Sequence, residues 1–191
     1  MFQFRIWGER ACFARSEFRR DLISYDVIPP LAARGIIDAI YWTPAIRWHI
    51  DRIHVLGLIT LEQTSLDVAL AGQRVDLIDV DYLIEAHFTL TERARSTDHV
   101  AQHASLVRRR AARQQPYRQP FLGLPKYPAQ FRLVSEEEVL PPSPHIGSDI
   151  DLGWMIHDLD DQRPPNLHLF RARMRDGVIE TGGDWTKNLP I

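Results

Sequence analysis

A chain of 191 residues, 45% of them hydrophobic, suits one full domain or a domain with an extension and can build a proper core. It has no apolar run long enough to span a membrane, arginine interrupts the opening MFQFRIWGER too often for a signal peptide, and the single Cys12 excludes an internal disulfide and a cysteine-based zinc site; the expectation is a cytoplasmic protein. The formal charge is only −2 but is unevenly placed, with seven arginines against two acids from Glu92 to Arg118 and eight acids against one arginine from Val134 to Pro165.

Residues 2–7, FQFRIW, alternate apolar and polar and predict a strand. Residues 22–28 form a second extended piece. Pro29 and Pro30 then open a helix, since proline suits a first helical turn, with Leu31, Gly35, Ile36, Ala39 and Ile40 on one face and Pro44 as its end. The alternation of IRWHIDRIHVL from Ile46 slips in phase between Ile50 and Ile53, which predicts a bulge near Asp51. The strand over 78–90 places Ile78, Val80, Tyr82, Ile84, Ala86, Phe88 and Leu90 on one face.

Thr97 or Asp98 is placed to cap the next helix, where Val100, Ala104, Val107 and Ala111 form a narrow apolar seam. Strand pieces follow around 119–122 and 129–134. A Pro-rich link (Pro141, Pro142, Pro144) leads to more extended chain, with Asp176-Gly177 as a hairpin turn. Strand, helix, strand, strand, helix, strand is the ferredoxin-like order, an antiparallel sheet backed by two helices. The expected class is α+β, a ferredoxin-like domain over residues 1–135 and a C-terminal β-strand extension over 136–191.

The second helix carries Arg108, Arg109, Arg110 and Arg113 over more than one face, with Tyr117 and Phe121 close behind. Such a group fits the backbone and bases of a nucleic acid, or a face that is merely solvated. His99 and His103 stand four apart, a spacing that can serve one metal, but there is no HExxH, no cysteine pair and no evident third ligand. The DLDDQ of Asp158–Gln162 reads as a solvated loop rather than a cation site. Tyr41, at the end of the first helix, reads by itself as a core or rim aromatic.

The stretches FRIWGERACFAR, SYDVIPPLAARGIIDAIYWTPAIRWHIDRIHVL, DVDYLIEAHFTLT, RRRAARQQPYRQPFLGLPKYPAQFRLV and DLGWMIHDLD…LFRARMRDGVIE together resemble the CRISPR-associated Cas5 family, subtype I-C (the Dvulg subtype), of the RAMP superfamily. The resemblance runs along nearly the whole chain and is weakest over 58–76. It implies a ferredoxin-like domain with a β extension and a metal-independent endoribonuclease, with no cofactor. Such a subunit cuts precursor guide RNA in the repeat, leaves a 2′,3′-cyclic phosphate, and stays on the 5′ handle of the mature crRNA.

Its implied partners are crRNA and its precursor, the backbone and large subunits of a type I-C complex, and target DNA only indirectly; no membrane is involved. The family's catalytic tyrosine falls on Tyr41 in IYW. Counting back from QPFLG, its catalytic histidine falls on His103. Gln102 stands where the family has a lysine, which implies either an arginine such as Arg108 or Arg109 in its place or slow cleavage. The RNA-binding set implied is Arg15, Arg34, Arg108, Arg109, Arg110, Arg113 and Tyr117.

A second departure is the short GLITLEQTSLDVALAGQR, where the family carries a long arginine-bearing insertion. The alternatives are a non-catalytic cap that binds the 5′ handle and anchors the large subunit, and a generic RNA-binding module.

Overall fold

The computed structural model describes residues 1–18, 20–65, 72–135, 137–160 and 165–182. Its elements are β1 (Phe2–Ala11), β2 (Leu22–Ile23), α1 (Pro30–Ile40), β3 (Ile46–Val55), β4 (Thr60–Ser65), β5 (Gln73–Leu90), α2 (Val100–Ala112), β6 (Gln130–Leu133), β7 (Asp149–Leu159), β8 (Leu167–Arg175) and β9 (Val178–Glu180). They give one large sheet in the order β6-β1-β5-β3-β9-β8-β7, with β2 and β4 also paired to β5. Every described pairing is antiparallel except β2 with β5. Because β9 pairs with β3, the strands after residue 149 continue the sheet built by the first part of the chain.

The expected bulge is present. The β3–β5 register shifts between Ile50 and Arg52, so Ile50 and Ile53 both reach the core. The carbonyl of Asp51 is not wasted, since the amides of Thr181 and Gly182 donate to it at 3.0 and 2.9 Å. The Asp176-Gly177 turn joins β8 to β9 with both residues at positive φ, 51° and 78°, the backbone that this dipeptide tolerates.

Several expectations shift. The strand piece expected around 119–122 is only an isolated bridge between Phe121 and Pro128. The extended piece at 22–28 is a strand only at Leu22–Ile23. In α1 the buried residues are Pro30, Ala33, Ile36, Ile37, Ala39 and Ile40, so Ile36, Ala39 and Ile40 lie on the buried face as expected, whereas Leu31 is half-buried and Gly35 exposed, and Ala33 and Ile37 complete the face. The helix ends at Tyr41, in extended backbone, ahead of Pro44. At the ends of the β5 face, Ile78 is half-buried and Leu90 exposed, while Val80, Tyr82, Ile84, Ala86 and Phe88 are buried. Within the short 58–76 region β4 pairs with β5; 66–71 of it lie outside the described residues.

The core beneath the helices is aromatic. Trp48 meets Phe2, Phe4 and Phe88 edge-on at centroid distances of 5.5, 5.8 and 5.2 Å. Such rings combine large apolar area with a preferred edge-to-face geometry. The one polar atom of Trp48, Nε1, donates to the carbonyl of Tyr41 at 3.0 Å. This bond satisfies a buried indole and pins the end of α1 over the sheet. Among the described residues no helix is long and apolar enough to cross a membrane.

Candidate active site

Tyr41 caps the C-terminal end of α1, and its own amide donates to Ile37 O at 3.0 Å. Two more of the carbonyls there are taken by a later loop, where Tyr117 N donates to Ile40 O at 3.1 Å and Arg118 N to Ala39 O at 2.9 Å. Helix ends leave such carbonyls unpartnered, so these bonds tie the segment after α2 to the end of α1. The result sets Trp42 and Tyr117 side by side, with ring centroids 6.5 Å apart, and Arg118 over the Tyr117 ring at 5.7 Å. All three are exposed. Trp42 and Arg118 were not singled out in the sequence, although Trp42 is part of the IYW motif itself.

On α2 the apolar seam differs at its first turn. Val100 is exposed, and the buried positions are His103, Val107 and Ala111. His103 therefore points inward, and its Nδ1 lies 2.7 Å from the hydroxyl oxygen of Tyr41. Both side chains are buried, at 5% and 7% exposure, which removes competing water from the bond. The Phe88 ring meets His103 edge-on at 6.2 Å. Burial pushes the Tyr41 hydroxyl above its usual pKa, opposed by the charge of Arg110 and reinforced by Asp98. Tyr41 is therefore held as the phenol.

The N-terminus of α2 is not capped by Thr97 or Asp98. His99 occupies the cap position with no side-chain bond. Asp98 instead closes the preceding turn by accepting from Arg95 N at 2.7 Å. Its other oxygen lies 3.6 Å from His103 Nε2. With Tyr41 at one nitrogen and Asp98 facing the other, His103 is turned away from exposed His99, and the two do not form a pair. Among the described residues no group of three or more His, Cys, Asp or Glu side chains is arranged to hold a metal ion.

The arginines divide into two sets. Arg108, Arg109, Arg110 and Arg113 form no ion pair among the described residues, and Arg110 alone of them is partly buried. Arg110 lies over the Tyr41 ring at 5.8 Å and Arg108 over Phe2 at 5.3 Å. Thus the arginine that α2 brings to the tyrosine–histidine pair is Arg110, not Arg108 or Arg109. The signal was in the spacing, since a residue seven positions after His103 returns to the same helix face. Gln102 is exposed at the helix N-terminus, and its side chain makes no hydrogen bond to the described residues.

Arg15 and Arg34 stand apart from this set. Arg15 lies over Tyr25 at 4.6 Å and pairs with Asp26 at 3.4 Å. Arg34 pairs with Asp158, which also receives Arg47 at 2.8 Å. In DLDDQ, then, Asp158 is an ion-pair partner rather than a solvated loop residue, and Asp161 and Gln162 lie outside the described residues. Other acids of the negative stretch are also matched locally, with Asp151 on Arg171, Asp149 on Arg173 and Glu138 on Arg132.

The arrangement offers a buried proton-transfer pair beside a cluster of arginines without carboxylate partners, with exposed aromatic rings at its rim. The family described as CRISPR-associated protein (Cas_Cas5), of the Cas5d group, matches residues 1–181. The chain is 36% identical to the protein of Mannheimia succiniciproducens named CRISPR pre-crRNA endoribonuclease Cas5d, over 93% of each chain. It is 33% identical to the Thermus thermophilus protein of the same name, over 92% of this chain and 89% of that one. A crystal structure described as a CRISPR-associated protein superposes with a TM-score of 0.84 at 28% identity, over 97% of this chain and 93% of that one. A functionally uncharacterised protein of Streptococcus mutans superposes equally well, at 28% identity over 100% and 95% of the two chains.

Proposed function

This chain belongs to the Cas5d family of CRISPR-associated proteins, and we propose that, like the relatives that carry that name, it is a pre-crRNA endoribonuclease of a type I-C system. The observation that carries the chemistry is the 2.7 Å contact between Tyr41 Oη and His103 Nδ1 in a buried setting. RNA supplies its own nucleophile. The 2′-oxygen attacks the adjacent phosphorus, the bond from phosphorus to the 5′-oxygen breaks, and the products carry a 2′,3′-cyclic phosphate and a 5′-hydroxyl. One proton leaves the 2′-hydroxyl and one reaches the 5′-oxygen. Histidine titrates near neutral pH and suits that transfer, which is typically worth ~10²–10⁴-fold.

The negative charge that grows on the phosphorane oxygens needs donors and cations. Arg110 is the nearest candidate, with Arg108, Arg109 and Arg113 along the strand and Gln102 at the helix end. Trp42, Tyr117 and Arg118 offer stacking surfaces for unpaired bases. The alternative of a non-catalytic cap is not favoured, because both named relatives are endoribonucleases.

We read β6-β1-β5-β3 with α1 and α2 as a ferredoxin-like RAMP domain over 1–135 and the strands of 136–191 as its extension; the 4-1-3-2 strand order supports this. After cleavage the subunit keeps the 5′ handle and joins backbone and large subunits in the cytoplasm. Incubating the purified protein with an RNA that carries its CRISPR repeats tests the reading. One cut at a fixed position in each repeat is expected, and tight binding without any cut would favour the cap.

A further inference from the structure

We propose that Asp98 is a positioning residue for His103, its carboxylate fixing the imidazole as the Nε2–H tautomer so that Nδ1 accepts the proton of the Tyr41 hydroxyl. This deepens the nuclease reading and rests on it for its consequence. Its basis is local geometry. His103 Nε2 is buried and has no hydrogen-bond partner among the described residues. A buried ring nitrogen without a partner is costly, and such atoms are rarely left so without a reason. The polar group that faces it is Asp98 Oδ1, at 3.6 Å.

Among the described residues, the other groups around the ring offer Nε2 no partner. Phe88 presents an aromatic edge, Tyr41 is engaged at Nδ1, and Arg110 lies over Tyr41. Asp98 is itself held in place by its second oxygen, which accepts from Arg95 N at 2.7 Å.

A neutral imidazole carries one N–H, so two arrangements exist. If Nδ1 held the hydrogen, the Nε2 lone pair would face a carboxylate. If Nε2 holds it, the N–H points at Asp98, and a small rotation closes 3.6 Å to a hydrogen bond. Catalytic contacts are often long in the free enzyme and tighten with substrate. The second arrangement makes Tyr41 the donor in the 2.7 Å bond and turns a lone pair of Oη outward.

A proton then has a path. The 2′-O–H bond of the RNA breaks as a new Oη–H bond forms, and the original Oη proton moves to Nδ1. The imidazolium so formed faces the negative charge of Asp98. The 5′-oxygen takes its proton from solvent, and the imidazolium later returns one to solvent. Tyr41 touches the RNA, and His103 works from behind it.

The test uses Asp98→Asn, which keeps an oxygen for Arg95 N but can present an NH₂ to Nε2. Nitrogen-15 NMR of the His103 ring in the RNA-free protein reports the tautomer. The Nε2–H form is expected in the wild type and the Nδ1–H form in Asp98→Asn, with single-turnover cleavage of repeat RNA lower by ~10² or more and RNA affinity unchanged. Asp98→Glu, which keeps a carboxylate, should retain the wild-type tautomer and guards against a variant that merely misfolds. The same tautomer in wild type and Asp98→Asn, or wild-type cleavage by Asp98→Asn, would overturn the proposal. Because the ring spectrum needs no RNA, a wild type that shows Nε2–H but cuts no RNA sinks the nuclease reading and leaves the role of Asp98 standing.

Discussion

Arg110 lies over the ring of Tyr41, 5.8 Å from its centroid, and its charge pulls the raised pKa of the Tyr41 hydroxyl back down. This places a guanidinium beside the proton-transfer pair in a chain that has Gln102 where related proteins are expected to have lysine. Losing one positioned donor to an oxyanion costs ~10²–10³ in rate. Glutamine remains a donor, so the deficit here is smaller. Gln102→Lys should raise the single-turnover rate with little change in RNA affinity, and Arg110→Ala should lower it. Lysine should help most in the Arg110→Ala background. Rates compared at saturating enzyme decide this; a rate that Gln102→Lys leaves flat in both backgrounds would show that position 102 does not face the phosphate.

His103→Ala should slow cleavage severely and spare RNA binding, because the arginines supply most of the attraction for phosphate. Tyr41→Phe should impair cleavage at least as much, since it removes the hydroxyl that relays the 2′-proton to His103. The loss expected for His103→Ala is within the ~10²–10⁴ typical of a general acid or base. Single-turnover rates and filter binding on the same preparations check both halves. Equal cleavage by wild type and His103→Ala would move the chemistry elsewhere.

Replacing Arg108, Arg109, Arg110 and Arg113 together by alanine should weaken RNA binding and flatten its dependence on salt. Each lost contact to a single strand removes a slope of about 0.7 in log K against log salt. The four have no ion-pair partner among the described residues, so no internal bridge is lost with them. An unchanged slope would return α2 to a solvated face.

Asp38 gives a prediction for stability. Burial raises its carboxyl to about 6, against the pull of Arg34, Arg47 and Arg118. An acid with a folded pKa above its unfolded value opposes folding once ionised. The penalty is absent below about pH 4, grows as pH rises, and is complete above about 6. Asp38→Asn should therefore raise the unfolding midpoint near pH 7 and leave it unchanged near pH 4. The upper limit is about 3 kcal/mol, reduced because the side chain keeps 26% exposure and an ion pair with Arg34. Thermal melts at the two pH values read the difference; an equal shift at both would discount burial of the charge.

Much of this was legible in the sequence because it is local. The slip in alternation at Asp51, the Asp176-Gly177 turn and the IYW motif each announce themselves within a few residues. What was missed depends on where distant segments meet. The capping role expected of Asp98 follows from its place before a helix, yet its carboxylate serves the preceding turn and faces His103. The acidic stretch looks like a free negative surface in sequence, whereas Asp149, Asp151 and Asp158 find arginines on β8, α1 and β3. Val100 looks like part of a seam that His103 fills instead, because the Tyr41 hydroxyl waits beneath it.

The most direct measurement is single-turnover cleavage of repeat RNA by the purified protein in EDTA, with the new ends analysed. A buried Tyr41–His103 pair that moves protons for the RNA's own 2′-hydroxyl predicts undiminished cleavage, a 2′,3′-cyclic phosphate on one product and a 5′-hydroxyl on the other. Strict dependence on added magnesium, or products with a 3′-hydroxyl and a 5′-phosphate, would contradict it.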